Sequence, residues 1–171
     1  WSGAVCIASR TMINSGKTVW RAQDVEKVLR SRSKNPAAVE KREALLQTYW
    51  SSRMSAAGYD TYMTGKWHVK APVAKIFDEY GTERPGMPKQ TEARYNRTFD
   101  PKGDNWSPYD KSQGGFWEGG THWSELLADE TIDYLDSKKD SDKPFFAYVA
   151  FNAPHDPRQA PKEYIDMYPL D

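Results

Sequence analysis

Three short stretches of this 171-residue chain carry side chains whose types and spacing suit chemistry on an anion. The first is Ala4-Val5-Cys6-Ile7-Ala8-Ser9-Arg10, which holds the sole cysteine and sets an arginine four residues after it. A thiol acts as a nucleophile once it is a thiolate, and a guanidinium offers a rigid fork of donors to oxyanions. The second is Lys66-Trp67-His68. In an extended segment alternate residues share a side, so Lys66 and His68 face one ligand while Trp67 points away. Together they supply a compact positive charge and a proton carrier near neutrality. The third is His155-Asp156, bracketed by Pro154 and Pro157. Each has an ordinary alternative: a packed cysteine, an exposed lysine, a capping or core histidine.

The surrounding pattern says what would position them. Small and apolar residues before Cys6 read as the end of a buried strand, and Ser9 to Asn14 as a helix start that Gly16 closes. Val25, Val28 and Leu29 have helical spacing. Asn35-Pro36 reads as an N-cap followed by proline at the first helical position, with a helix running to about Ala57 and stopped by Gly58. Tyr59 to Thr64 reads as a short strand. Residues 71–120 read as a loop-rich insertion, with one small hairpin around Thr91 to Phe99. Thr121 to Ser137 predicts a helix with Trp123, Leu126, Leu127, Thr131, Tyr134 and Leu135 on one stripe. The apolar run from Pro144 to Phe151 reads as a strand covered on both faces, hence part of a parallel sheet. Pro161 to Tyr168 predicts a short helix. This alternation argues for an α/β fold with a mostly parallel central sheet flanked by helices. In such sheets ligands bind beyond the carboxyl ends of strands. Cys6 with Arg10, Lys66 with His68, and His155 with Asp156 each follow a predicted strand.

Composition excludes some classes. Twenty-four basic residues balance twenty-four acidic ones, so there is no basic excess of the kind nucleic-acid binding needs. No apolar run is long enough to span a membrane. Ser15-Gly16-Lys17-Thr18 imitates the end of a phosphate-binding loop, but Thr11 stands where that motif requires glycine. A thiol phosphatase would need arginine where Met12 stands. A cysteine–histidine hydrolase, with Cys6 as thiolate and His68 or His155 as base, stays open. His122 reads as a capping or surface residue. Asp24, Asp78, Asp100, Asp104 and Asp110 read as solvated. Tyr95, Trp106, Tyr109 and Trp117 form either a sugar platform or a satellite hydrophobic cluster.

Cys6-Ile7-Ala8-Ser9-Arg10 resembles the Cys-x-Pro/Ala-x-Arg signature of type I sulfatases, within the alkaline-phosphatase-like superfamily. Gly58-Tyr59-Asp60-Thr61-Tyr62-Met63-Thr64-Gly65-Lys66-Trp67-His68 resembles that family's Gly-Tyr-x-Thr-x-x-x-Gly-Lys-Trp-His motif. Pro144-Phe145-Phe146 through Ala150-Phe151-Asn152-Ala153-Pro154-His155-Asp156-Pro157 resembles its strand and histidine-bearing loop, and Arg158 to Tyr164 resembles bacterial members acting on sulfated glycans. The three occur in family order.

The resemblance implies a sulfuric ester hydrolase in which Cys6 is converted to formylglycine by a maturation enzyme. It implies catalytic roles for Cys6, Arg10, Lys66, His68 and His155, and substrate contacts from Lys66, His155, Asp156 and Arg158. It also implies a calcium ion touched by residue 6, with the remaining ligands outside this chain. The expected substrate is a sulfated small molecule or glycan, and the expected location periplasmic or secreted. Residues 1–171 then form part of one catalytic domain that lacks its N-terminal and C-terminal portions, and the chain alone is expected to be inactive. Alternatives are a phosphate or phosphonate ester hydrolase of the same superfamily, or a non-catalytic glycan-binding piece.

Overall fold

The computed structural model describes residues 4–86, 98–100 and 102–169. Four helices come first: α1 (Cys6–Ser15), α2 (Val19–Arg30), α3 (Pro36–Leu46) and α4 (Trp50–Ala56). Then follow β1 (Asp60–Lys66), β2 (Glu79–Arg84), the two-residue strands β3 (Trp117–Glu118) and β4 (Thr121–His122), α5 (Trp123–Lys138), β5 (Phe145–Ala150) and α6 (Lys162–Ile165). The main sheet has the order β2–β1–β5, and both pairings are parallel. The predicted α/β class and parallel sheet are therefore present.

Several local features follow the sequence rules. Gly16 ends α1 in the left-handed region at φ 65°, with its N–H donating to the Met12 carbonyl at 2.9 Å. Asn35 caps α3 by accepting from the Ala37 N–H at 3.0 Å, and Pro36 occupies the first helical position. His122 caps α5: its Nδ1 accepts from the Ser124 N–H at 3.2 Å, while the Glu125 carboxylate accepts from the His122 N–H at 3.1 Å.

Three expectations are corrected. No strand precedes Cys6 among the described residues; Ala4 and Val5 bend, and α1 begins at Cys6 itself. The helix from Pro36 breaks at residues 47–49. There the Thr48 hydroxyl donates to the Leu45 carbonyl at 2.7 Å and the Ser52 hydroxyl to the Leu46 carbonyl at 2.9 Å, bonds that compete with helical ones. The break lets Tyr49 become fully buried. Within 71–120, residues 79–84 form β2 instead of a loop. The hairpin expected around Thr91 to Phe99 lies mostly outside the described residues.

Helices cover both faces of β1. Tyr62 and Thr64 meet α5: the Tyr62 ring stacks on Tyr134 at 4.2 Å, and the Thr64 hydroxyl donates to the Glu130 carboxylate. Met63 points the other way, into a core with Val25 of α2, Leu46 of α3 and Tyr49. Glu130 also accepts from the Thr82 N–H at 3.0 Å and from its hydroxyl, so one carboxylate ties α5 to β1 and β2. Leu127 is fully buried in a second cluster with Phe116 and Trp123. Asp78, expected to be solvated, instead accepts from the Thr61 N–H at 3.0 Å and hydroxyl at 2.8 Å.

Candidate active site

The site grows from the carboxyl end of β1. Strand alternation alone would send Lys66 toward α5, like Tyr62 and Thr64. It does not, because the register with β2 shifts between Met63 and Gly65 and Gly65 adopts φ 105°. Such a bulge reverses the side on which the next residue emerges. Lys66 instead hydrogen-bonds Cys6, at the start of α1. Gly65 is needed for a second reason: a Cβ there would collide with the Ala150 carbonyl of β5.

His68 reaches the same thiol by a different route. The strand has ended, and His68 sits in the left-handed region at φ 51°. Its Nδ1 lies 3.2 Å from the Cys6 Sγ. Trp67, between them, is buried with its Nε1 donating to the Ala71 carbonyl at 2.6 Å. Lys66 and His68 thus converge as expected, through a bulge and a left-handed residue and not through simple alternation.

Electrostatics follow from burial. Lys66 is 2% exposed, and burial pushes its ammonium below the ordinary lysine range, opposed by Cys6 and reinforced by Arg10. Burial also lowers His68, and the positive charges of Lys66, Lys70 and Arg10 lower it further. His68 is therefore held as a neutral imidazole that can take a proton. Residue 6 stands at the start of α1, beside the positive end of the helix dipole.

Arg10 plays a distinct part. Its guanidinium donates to the Lys66 carbonyl at 2.6 Å, the Tyr148 hydroxyl at 3.5 Å and the Phe151 carbonyl at 3.3 Å. It clamps α1 onto the carboxyl ends of β1 and β5. Asn14 supports this from behind: its Nδ2 donates to the Arg10 carbonyl at 2.9 Å and its Oδ1 accepts from Trp50 Nε1 at 3.1 Å.

His155, Asp156 and Arg158 occupy an exposed turn after β5. The His155 ring bonds the Asp156 carbonyl at 3.0 Å, and Arg158 pairs with the Asp156 carboxylate at 3.3 Å. The turn departs from Phe151, whose carbonyl Arg10 holds. The structure therefore joins Cys6, Arg10, Lys66 and His68 into one cluster. His155, Asp156 and Arg158 stand together on a neighbouring turn, linked to that cluster through Phe151.

Sequence reasoning missed two supporting residues. Glu26 of α2 accepts from the Thr11 hydroxyl at 2.8 Å and from the Lys70 N–H at 3.3 Å, tying α1 to the loop after His68. Gln159 is buried beneath the His155 turn. Neither has a local signature, because each acts through partners distant in the chain. Among the aromatic candidates, Trp117 is buried against His122 with ring centroids 5.1 Å apart. Tyr95 lies outside the described residues. His122 caps as expected but is buried, not at the surface.

The described residues contain no group of three histidine, cysteine or acidic side chains able to hold a metal ion. Lys66 and Arg10 set positive charge beside Cys6, which fits an anionic substrate, and Cys6 is the one candidate calcium contact among them. No helix among the described residues is long and apolar enough to cross a membrane.

The Sulfatase family model matches residues 3–170. An uncharacterised sulfatase of Schizosaccharomyces pombe is 36% identical over 129 residues, covering 67% of this chain and 22% of that protein. An arylsulfatase of Klebsiella aerogenes is 29% identical over 134 residues, covering 71% of this chain and 27% of that protein. The chain thus spans about a quarter of the length of these relatives. The crystal structure of Ps i-CgsB in complex with k-i-k-neocarrahexaose superposes with a TM-score of 0.59 and 22% identity, over 96% of this chain and 38% of that one, which speaks for a shared fold. With the family model matching nearly end to end, this chain belongs to the sulfatase family.

Proposed function

We propose that the full-length protein is a sulfatase that hydrolyses sulfate esters at a centre built on residue 6, with Cys6 converted to formylglycine. One observation carries this reading: the buried Lys66 ammonium and the His68 imidazole both meet the Cys6 side chain at the carboxyl end of β1. Conversion breaks the Cβ–S bond, releases the sulfur as hydrogen sulfide, takes up the carbonyl oxygen at the level of water, and removes two electrons and two protons, which the maturation enzyme passes to its own oxidant. The hydrated aldehyde supplies a hydroxyl that bonds to sulfur as the ester S–O bond breaks, and a second hydroxyl through which sulfate is later expelled.

This chain's own residues do the rest. Lys66, itself buried, neutralises charge on the sulfate oxygens. His68 takes the proton of the expelling hydroxyl as general base. Arg10 fixes residue 6 against the sheet. His155 holds a sulfate oxygen or assists the leaving alcohol, and Asp156 and Arg158 contact the substrate from the same turn. Calcium would be touched by residue 6, with its other ligands outside this chain. The substrate class favoured is a sulfated glycan, supported by Arg158 to Tyr164 and by the oligosaccharide bound to the structural neighbour. A periplasmic or secreted location accompanies this reading. Residues 1–171 act as part of one catalytic domain and are inactive alone.

The test is turnover of a generic aryl sulfate by the full-length protein with calcium. Cleavage of sulfate esters, lost in Cys6→Ala, supports the reading; cleavage of phosphate esters with sulfates ignored overturns it. The 3.2 Å contact between Cys6 and His68 also suits a thiol hydrolase, in which residue 6 keeps its sulfur.

A further inference from the structure

The turn at 152–160 has no regular structure of its own, yet both of its ends are fixed. At the near end Arg10 holds the Phe151 carbonyl, and the His155 N–H donates to the Asn152 carbonyl at 3.1 Å. At the far end stands Gln159, 5% exposed. Its Oε1 accepts from the Phe116 N–H at 2.8 Å and its Nε2 donates to the Gly114 carbonyl at 2.8 Å. Its own carbonyl accepts from His122 Nε2 at 3.0 Å. The next residue, Ala160, donates its N–H to the Pro108 carbonyl at 3.2 Å.

These bonds leave little freedom. Because His122 Nδ1 is committed as acceptor from Ser124, the proton that reaches Gln159 sits on Nε2. The ring is buried between the end of β4 and the start of α5, and α5 is in turn tied to β1 through Glu130. The far end of the turn is thereby referenced to the same strand that carries Lys66.

We propose that Gln159 is a positioning residue for the turn bearing His155, Asp156 and Arg158, supported by His122, and that it sets the affinity of the protein for its sulfate ester. This rests on the reading of that turn as a substrate contact. Glutamine suits the place because it supplies one acceptor and one donor to two fixed main-chain groups. A glutamate of the same shape keeps the acceptor, loses the donor and sets a negative charge against the Gly114 carbonyl.

The experiment uses the full-length protein, with Gln159→Glu as the main variant. His122→Asn is the second: asparagine still caps α5 but is too short to reach Gln159. Backbone hydrogen exchange is measured together with KM and kcat for an aryl sulfate. The expected result is exchange in segment 153–160 faster by roughly tenfold, the equivalent of one or two lost hydrogen bonds, with β1 unchanged. KM is expected to rise by more than kcat falls. Unchanged exchange in a folded Gln159→Glu protein overturns the proposal. So does faster exchange with unchanged KM where His155→Ala raises KM. If His155→Ala leaves both constants unchanged, the reading of the turn as a substrate contact falls, and the positioning role with it.

Discussion

The Arg10 guanidinium donates to the main-chain carbonyl of Lys66 at 2.6 Å. The arginine of the first motif therefore holds the strand that presents the lysine of the second. Both motifs lie on separate elements, 56 residues apart in sequence. Arg10→Lys replaces a fork of donors with a single ammonium that cannot reach the carbonyls of both Lys66 and Phe151. A displacement of about 1 Å at residue 6 costs roughly 100-fold in rate, so kcat/KM of the full-length protein should fall by about that factor. Steady-state kinetics with stability followed in parallel checks this.

Gly65→Ala should fail for steric reasons. It asks an alanine to hold φ 105° with its Cβ against the Ala150 carbonyl and the Leu127 side chain. The cost is about 2–4 kcal/mol, read as a lowered denaturant midpoint.

Glu130→Ala leaves the hydroxyl and the N–H of Thr82 without their acceptor, while the Thr64 hydroxyl keeps only the Thr82 carbonyl at 3.3 Å. Each buried group left unmatched costs about 1–3 kcal/mol, so a clear loss of stability is expected on chemical denaturation. Glu130 touches nothing in the cluster around Cys6, and the loss should appear in stability before it appears in KM.

Acidification should act through histidine. Burial lowers both His68 and His122 below the ordinary histidine value, so each is neutral when folded and charges more readily when unfolded. Their stabilising contribution is complete above about pH 6.5, the unfolded value, and is lost as pH falls through the folded values below it. Turnover should lose its base over the same acid limb. Lys66→Gln removes one charge that depresses His68, so the His68 titration followed by NMR should move to higher pH.

Much of the site was legible in sequence because its chemistry is packed into short runs. Gly65, Lys66 and His68 lie within four positions, and the end of a strand brings them to one place. The apolar run before Asn152 announced β5, and its parallel pairing followed. The strand β2 was hidden because Glu79-Tyr80-Gly81-Thr82-Glu83-Arg84 has no apolar face. Its Thr82 is matched by Glu130, 48 residues away, which no window along the chain could show. Gln159 was invisible for the same reason: its partners at Gly114, Phe116 and His122 are distant in sequence and two of them are main-chain groups. The break at residues 47–49 was missed because the apolar spacing around it stays helical.

The mass of the peptide spanning residue 6, taken from full-length protein that turns over a sulfate ester, tests the central claim most directly. The expected peptide has lost the cysteine sulfur and carries an aldehyde at residue 6, within reach of Lys66 and His68. An active preparation in which residue 6 is still an unmodified thiol would contradict it.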